Sequence, residues 1–370
     1  MDLRIGAIGI GGLGYLQAKT YAELSNVEIV CAADVSPDAR ELFSEEFHAP
    51  AYEQVRSMLF EHAEDLDAVS IATPHTLHHE QAMLALEHDL HVLVEKPMVT
   101  DVGHAVDLVG TADAHDLVLQ VGYQRHFHPA FKELRRVIES QRIGELHSVN
   151  CHLGQNWIDS HQGTWRVDPS LSGGGQLYDS GSHLLDALLW TTGATPTTVA
   201  AQIEFDSPRI DVNSALALKL ERDGRTITTS VGVSGDGVDI LPSEGYHYWG
   251  NRGRLSYVDD RITVAERGAV TYRTELTGEG NFQALNQEKL QNFIASIDGT
   301  EEPARAQPSM SVHSPENIPC GGIGDGVVFR AAIHCPEDRI GELAFGHAET
   351  LPKEHILANA LTKPAHRILV

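Results

Sequence analysis

A glycine-rich turn near the start of the chain is the first candidate for chemistry. Gly9, Gly11 and Gly14 have the spacing G-x-G-x-x-G, with Gly12 between them. The turn follows an apolar run and opens a helical pattern, and Asp34 comes 20 residues after Gly14. In that context the glycines allow a tight turn, close approach of a pyrophosphate, and close packing of helix on strand. The pattern predicts a dinucleotide-binding turn, the alternative being a glycine-rich turn without ligand.

The residue at Asp34 bears on which dinucleotide is bound. A carboxylate at this place accepts hydrogen bonds from ribose hydroxyls and repels a 2′-phosphate, so NAD is favoured over NADP. Arg40 is near enough in sequence to leave NADP possible, although it also fits a helix-surface arginine. The pyrophosphate would meet free N–H groups at the helix N-terminus.

Lys96 comes immediately after the apolar run His91–Glu95, in a chain with only seven lysines. If that run is a parallel strand, Lys96 lies at the carboxyl edge of the sheet, where ligands bind in open α/β folds. An ammonium beside a nicotinamide can donate to a substrate hydroxyl and lower its pKa. The alternative is a surface lysine that begins a loop.

A second reactive segment runs from Gly173 to Asp186. If Asp179 begins a helix, Asp179 and His183 are four residues apart and share a face. A histidine flanked by carboxylates is a good proton acceptor near neutral pH. Asp186 is equally able to orient His183, and the two carboxylates cannot be ranked from the sequence. The alternatives are a helix cap for Asp179 and a core histidine for His183.

Four further residues are candidates for a substrate site in a cleft between two domains. Trp165 and Arg166 precede the glycine run, and Tyr123 and Arg125 follow a predicted strand. A core tryptophan and a surface arginine are the alternatives.

Short apolar runs alternate with helical patterns in the first third of the chain. The strand-like runs are Leu3–Gly9, Val27–Ala33, Asp67–Thr73, His91–Glu95 and Leu117–Gly122, and the helical patterns are Leu13–Leu24, Asp38–Phe47, Leu77–Glu87 and Val102–Ala114. Apolar strands that alternate with helices indicate a parallel sheet covered on both faces. Residues 1–125 are therefore predicted to form a doubly wound, Rossmann-type α/β domain that binds the dinucleotide.

The pattern changes after residue 125. Thr198–Phe205, Ser214–Leu220 and Thr226–Val233 alternate with a period of two, which is typical of antiparallel strands with one buried face. A helix is predicted at Phe282–Ile297. We therefore infer a second, α+β domain over residues 126–302. The family resemblance described below implies that this domain contains a large, mostly antiparallel sheet, binds substrate and mediates oligomerisation.

Residues 303–370 differ in composition from the rest. They contain 7 acidic and 6 basic residues, against 45 and 21 in residues 1–302. The segment is predicted to have little order. Two origins are open, a native extension or a shift of the reading frame, and translation of the other frames after codon 302 would decide between them.

The formal net charge of −25 indicates an acidic, solvated surface, of the kind used by proteins of salty cytoplasm; an ordinary acidic protein is the alternative. We do not expect nucleic acid as a partner, because the sequence contains no basic patch that could bind phosphates.

No apolar run is long enough for a membrane span, and we expect neither a signal peptide nor a bound metal. Cys31, Cys151, Cys320 and Cys335 lack zinc-like spacing and are predicted to be reduced, as in a cytoplasmic protein.

These segments together resemble the glucose–fructose oxidoreductase / inositol dehydrogenase / rhizopine catabolism (Gfo/Idh/MocA) oxidoreductases. The resemblance covers roughly residues 3–300. It runs in order through Gly9–Gly14, Asp34, Thr73–His78, Glu95-Lys96-Pro97, Gly122–Arg125 and Gly173–Asp186.

The resemblance implies a catalytic trio at Lys96, Asp179 and His183. It also implies that the cofactor contacts residues outside the glycine turn, namely Thr73, Pro74, His75, His78, Glu95, Lys96 and Arg125. The implied reaction is NAD(P)-dependent oxidation of a sugar or polyol, by a homo-oligomer (dimer or tetramer) whose second sheet makes the interface.

The chain departs from the family pattern at three places. His75 replaces the common asparagine after Thr-Pro, and His126 replaces the second arginine of Arg-Arg-Phe. The usual final apolar helix and strand have no clear counterpart in residues 303–370. Two other functions stay open: a glycosidase-type enzyme that oxidises its sugar transiently, and a dinucleotide-binding sensor without catalysis.

Overall fold

The computed structural model describes residues 2–207, 209–237, 242–275 and 281–301, and the backbone of three later segments, 330–334, 340–345 and 366–369. The chain divides into two units. The first consists mainly of Met1–Gln124 and a segment that begins at Asn281, and the second mainly of Arg125–Gly280 and the later strands.

The first unit contains a six-stranded parallel sheet. Its strands are β1 (Leu3–Ile8), β2 (Val27–Ala33), β3 (Ala51–Tyr52), β4 (Ala68–Ile71), β5 (His91–Val94) and β6 (Leu119–Val121). The helices that alternate with them are α1 (Gly12–Ala22), α2 (Pro37–Phe47), α3 (Val55–His62), α4 (His78–Leu86) and α5 (Val102–Ala114). The spatial order β3-β2-β1-β4-β5-β6 is that of a Rossmann fold, as predicted.

The local sequence explains these elements. The central strands β4 and β5 are buried on both faces, as continuous apolar runs require. Helix α2 begins with Pro37 after Ser36, whose hydroxyl accepts the Ala39 N–H, and Asp101 caps α5 in the same way. Short 3-10 turns lie at Ala63–Asp65, His75–Leu77, Gln124–His126 and Trp165–Val167.

The second unit is built on a large, mostly antiparallel sheet, as predicted. Its helices are α6 (Pro129–Glu139), α7 (Trp157–Ser160), α8 (Pro169–Ser172) and α9 (Ser180–Thr192). Its strands before residue 276 are β7 (Leu146–Gly154), β8 (Thr195–Ser207), β9 (Ile210–Arg222), β10 (Arg225–Ser234), β11 (Ser243–Gly250), β12 (Gly253–Val258), β13 (Arg261–Glu266) and β14 (Ala269–Glu275). Strands β7 and β10 pair in parallel, and alternate residues of β9 and β10 are buried against α6 and α9.

The helix α10 (Phe282–Ile297) corrects the predicted domain boundary. The sequence predicts its span but assigns it to the second domain, whereas it belongs to the first unit. Its Leu290 and Phe293 are fully buried in one cluster with Ile5 and Leu93 of the parallel sheet. A helical period shows that a face is apolar, but it does not show which core will bury that face.

Three strands fall in the segment after residue 302, namely β15 (Arg330–His334), β16 (Ile340–Phe345) and β17 (His366–Leu369). Strand β16 pairs antiparallel with β8, and β15 pairs with both β16 and β17. Most of the remaining tail lies outside the described residues, so its predicted low order and its origin stay predictions.

Cys31 and Cys151 are free and buried, as predicted for reduced structural cysteines, and burial raises the pKa of the Cys31 thiol to about 12. Cys320 and Cys335 lie outside the described residues. Among the helices that the structure describes, none combines the length and the apolar character needed to cross a bilayer.

Candidate functional site

The glycine turn joins β1 to α1 in the conformation its sequence predicts. Gly9 has a φ of +80°, and a Cβ added to Gly14 would lie 1.8 Å from the Gly9 carbonyl oxygen. By contrast, a Cβ on Gly11 or Gly12 would meet no protein atom within 4 Å. Gly9 and Gly14 are thus required by the chain itself, whereas Gly11 and Gly12 leave open space at the N-terminus of α1.

The Asp34 carboxylate is fixed beside this turn, at the end of β2. Its Oδ2 accepts the backbone N–H of Ile10 and its Oδ1 accepts that of Ser36, both at 2.8 Å. The Arg40 guanidinium donates to the Asp34 carbonyl oxygen at 2.7 Å. Arg40 is therefore a partner of Asp34 rather than a surface arginine without a role, and both residues flank the ribose position that the fold implies.

The segment after β4 is held by the side chain of His78. Pro74 precedes the 3-10 turn at His75–Leu77, and His75 is buried. His78 is fully buried at the start of α4, with Nδ1 2.8 Å from the Pro97 carbonyl and Nε2 2.9 Å from the Thr73 carbonyl. Because both ring nitrogens face protein oxygens, His78 is not in position to contact a cofactor through its ring, contrary to expectation.

Glu95 is also turned into the protein rather than toward a ligand. Its Oε1 accepts hydrogen bonds from the Gln17 amide at 2.7 Å and from the Lys289 ammonium of α10 at 2.5 Å. Burial raises the pKa of Glu95, but Lys289, Lys96 and Gln17 outweigh burial, so the net pKa is lowered. Glu95 is thus a buried carboxylate that anchors the end of β5, immediately before half-buried Lys96.

Tyr123 and Arg125, expected near substrate and cofactor, are assigned to different units. Tyr123 lies one residue before the end of the first segment of unit one and is 3% exposed, which leaves little side chain for a substrate wall. Arg125 belongs to the second unit, where its guanidinium pairs with Glu244 of β11 at 2.5 Å. The guanidinium is thus held by Glu244, and its contact with a cofactor stays a prediction.

Asp179 lies just before α9 and is almost completely buried. Its side chain makes no helix-capping hydrogen bond, which excludes the cap alternative. Instead its Oδ2 accepts the indole N–H of Trp157 at 2.9 Å and the Arg166 Nε–H at 3.1 Å. Arg166 also stacks on the half-buried Trp165, at 4.5 Å from the ring centroid. The structure therefore brings three of the predicted residues together around one carboxylate.

His183 lies in the first turn of α9, half-buried, four residues after Asp179. The other candidate to orient it, Asp186, is engaged elsewhere. The Asp186 Oδ2 lies 2.8 Å from Nε2 of His126, and both side chains are buried. The His126 ring in turn stacks on Trp190 at 4.7 Å. The structure thus pairs Asp186 with His126, and the choice between Asp179 and Asp186 as the partner of His183 stays a prediction.

The glycine run before Asp179 is held by a buried carboxylate that the sequence did not single out. Asp211 accepts the backbone N–H of Gly175 at 2.7 Å and that of Leu177 at 2.6 Å. Burial raises the pKa of Asp211 to about 6, against the lowering effect of these hydrogen bonds. A Cβ on Gly175 would lie 2.0 Å from the Asp211 carbonyl oxygen, so glycine is required there.

Sequence reasoning also missed Gln17, Lys289 and Trp157. Each contacts a singled-out residue that is distant in sequence, and none falls in a recognisable motif. The one available signal was the scarcity of lysine, since the chain has only seven and Lys289 is one of them.

Family models match both units of the chain. A Gfo/Idh/MocA model, described as an oxidoreductase family with an NAD-binding Rossmann fold, matches residues 3–123. A model of the Gfo/Idh/MocA C-terminal domain matches residues 131–255.

Several curated proteins are similar in sequence. The rhizopine catabolism protein MocA of Rhizobium meliloti is 32% identical over 195 residues, which cover 52% of this chain and 58% of the relative. The dTDP-3,4-didehydro-2,6-dideoxy-alpha-D-glucose 3-reductase of Saccharopolyspora spinosa is 27% identical over 278 residues, or 75% of this chain and 80% of the relative. The D-xylose 1-dehydrogenase [NADP(+)] of Haloarcula marismortui is 31% identical over 174 residues, 46% and 47% of the two chains. Several of these matches span only about half of the relative's length.

A solved structure of an inositol dehydrogenase homologue from Azotobacter vinelandii, in complex with NAD+, has a TM-score of 0.72 at 20% identity. The match covers 81% of this chain and 87% of that one. At this identity the likeness shows a shared fold.

Proposed function

Because this chain belongs to the Gfo/Idh/MocA family of oxidoreductases, we propose that it transfers hydride between a hydroxyl-bearing carbon of a sugar or polyol and a nicotinamide dinucleotide. The curated relatives include enzymes named for sugar substrates, which supports this substrate class.

The first unit has the features that a dinucleotide needs. The open space over Gly11 and Gly12 admits a pyrophosphate, and no side chain caps the N-terminus of α1. Asp34 is oriented by two backbone N–H groups, which leaves lone pairs on both oxygens for ribose hydroxyls. The bound nicotinamide would supply the hydride-accepting carbon.

The roles of the protein groups follow from their chemistry. His183 accepts the proton of the substrate hydroxyl as the carbon-bound hydrogen leaves with its electron pair. Lys96 hydrogen-bonds the reacting oxygen and stabilises the negative charge that develops there. Asp179, held by Trp157 and Arg166, orients His183 or the substrate. Trp165 and Arg166 are proposed to line the substrate site.

The observation that carries the proposal is the position of Lys96. It follows β5 at the carboxyl edge of the parallel sheet, the same edge at which β1 ends in the glycine turn. Ligands of open α/β sheets bind at this edge, so an ammonium there is close to the cofactor position that the fold implies.

The proposal is tested by following the absorbance of reduced cofactor with a panel of sugars and polyols at high salt. Lys96→Met and His183→Asn should each abolish turnover while cofactor binding persists. Lys219→Met, which removes an exposed lysine from β9, serves as the control. Full turnover in both site variants would refute the assignment. Release of free sugar without net cofactor reduction would indicate the glycosidase-type reaction, and binding without any turnover would indicate a sensor.

We further propose NAD as the preferred cofactor, since the Asp34 carboxylate repels a 2′-phosphate. Comparison of kcat/KM for NAD+ and NADP+ tests this preference. In Asp34→Ala the preference should fall, because Arg40 would then face the added phosphate without a competing carboxylate. An unchanged ratio would contradict the assigned role.

Assembly as a homo-oligomer through the second sheet is also proposed. One face of β8, β9 and β10 exposes small side chains in register, since Ala200 lies opposite Ala217, and Ala217 opposite Ser230. Ala217→Arg, with Asp159→Arg in α7 as the control, should lower the mass measured by light scattering. An unchanged mass, or a monomeric wild type, would argue against this interface.

A further inference from the structure

His78 contacts two backbone carbonyls at once. Its Nδ1 lies 2.8 Å from the Pro97 oxygen and its Nε2 2.9 Å from the Thr73 oxygen, and the side chain is fully buried. Carbonyl oxygens only accept hydrogen bonds, whereas a neutral imidazole carries a single N–H. In the neutral form one ring nitrogen would direct its lone pair at a carbonyl oxygen. Only the imidazolium form can donate to both.

The two carbonyls belong to the two loops that carry candidate site residues. Thr73 follows β4 and precedes Pro74 and His75, while Pro97 follows Lys96 at the end of β5. Strands β4 and β5 are neighbours in the sheet, with Ile71 opposite Val94. A side chain that binds both loops therefore fixes the position of Lys96 relative to the segment after β4.

We propose that His78 is a positioning residue whose doubly protonated form ties the loop after β4 to the loop after β5. The tie itself rests on the contacts of His78 alone. Its consequence for catalysis rests on the proposed function, because it assumes that Lys96 acts on the substrate. When the ring loses a proton, one of the two loops loses its hydrogen bond.

The charged and polar groups around His78 determine the pH range in which its ring holds a second proton. Burial lowers the pKa of His78, and the Lys96 ammonium acts in the same direction. The two carbonyl contacts and the Glu95 carboxylate oppose this lowering, and the His75 ring packs edge-on at 5.9 Å. Since burial prevails, the net pKa is below the ordinary value for histidine. Both hydrogen bonds of His78 are thus present at acid pH, and one of them is lost as the pH rises.

Nuclear magnetic resonance of the full chain with labelled histidine tests the tie directly. The His78 signals are assigned by their loss in His78→Gln, and the nitrogen shifts are followed from about pH 8 to about pH 5. We expect one ring nitrogen to become protonated in a single step, together with a shift of the carbonyl carbon of either Thr73 or Pro97. A nitrogen that stays unprotonated throughout, with neither carbonyl moving, would overturn the proposal.

Binding of NAD+ supplies a second readout that needs no substrate. In the wild-type protein the affinity for NAD+ should rise about fivefold as the pH falls and His78 takes up its second proton, which is the effect of one additional hydrogen bond. His78→Gln should lack this step, and so should His78→Phe if it folds. His88→Gln, in the exposed turn after α4, is the matched control and should retain the step. Identical pH dependence in wild type and His78→Gln would contradict the tie. If no sugar is oxidised, the proposed reaction fails while both of these measurements still decide the role of His78.

Discussion

The indole N–H of Trp157 donates to Oδ2 of Asp179 at 2.9 Å, in a nearly solvent-free part of the second unit. The same oxygen accepts the Nε–H of Arg166 at 3.1 Å. Two donors on one oxygen fix the orientation of the carboxylate. Trp157 is itself packed with Ile158, Ile210 and Val212. The apolar cluster around Trp157 thus determines the orientation of the Asp179 carboxylate, one helical turn before His183.

Trp157→Phe should lower kcat about tenfold or more, because it removes a hydrogen bond to a charged group while keeping an aromatic ring in the cluster. Steady-state kinetics with an oxidised sugar and a thermal unfolding curve separate the loss of activity from the loss of stability. Trp249→Phe on β11 is the control and should keep its kcat. A wild-type kcat in Trp157→Phe would show that Asp179 is oriented by other contacts.

Gly11→Ala should fold normally and bind NAD+ about tenfold or more weakly. The added methyl group meets no protein atom within 4 Å, and Gly11 has a φ of −76° that alanine adopts without strain. It would, however, occupy the space proposed for the pyrophosphate. Calorimetric titration and a melting curve test this separation, with Gly110→Ala in α5, also in open space, as the control. Wild-type affinity in Gly11→Ala would mean that the pyrophosphate does not approach this turn.

Lys289→Met should destabilise the protein by about 3 kcal/mol or more, because it leaves the buried Glu95 carboxylate without its counter-charge. The exposed pair Lys19–Glu46, at 3.4 Å, provides the comparison, and Lys19→Met should cost less than about 1 kcal/mol. Urea unfolding of both variants measures the difference. Adding Glu95→Gln to Lys289→Met should recover part of the loss. Equal small effects of the two lysine substitutions would mean that water or another cation compensates for Glu95.

Asp211 should make stability depend on pH below neutrality. Its pKa in the folded protein is about 6, above the ordinary value of 3.8, so the folded state binds the proton more tightly than the unfolded state. The stabilisation that this provides is complete below about pH 4 and is lost as the pH rises to about 6, a change of about 2 to 3 kcal/mol.

The difference in unfolding free energy between wild type and Asp211→Asn, measured at intervals across this range, isolates that contribution. It should shift in favour of the variant as the pH rises from about 4 to about 6 and stay level above. Asp206→Asn, which removes an exposed carboxylate from β8, should show no such change. A constant difference for Asp211→Asn would mean that its carboxyl titrates normally in the folded state.

The sequence by itself determined the features that depend on local periodicity and on a motif. The alternation of apolar runs and helices gave the parallel sheet, and the period of two gave the antiparallel one. The spacing of Gly9, Gly11 and Gly14 located the turn between β1 and α1, where Gly14 must be glycine because a Cβ there would meet the Gly9 carbonyl oxygen.

Only the tertiary structure decided which distant groups share a buried space. It paired Asp186 with His126, assigned α10 to the first unit through Lys289 and Glu95, and directed both ring nitrogens of His78 at backbone carbonyls. Burial makes each of these choices, because a buried polar group must find a partner wherever the chain supplies one. That partner is set by packing between segments far apart in sequence, and no local pattern encodes it.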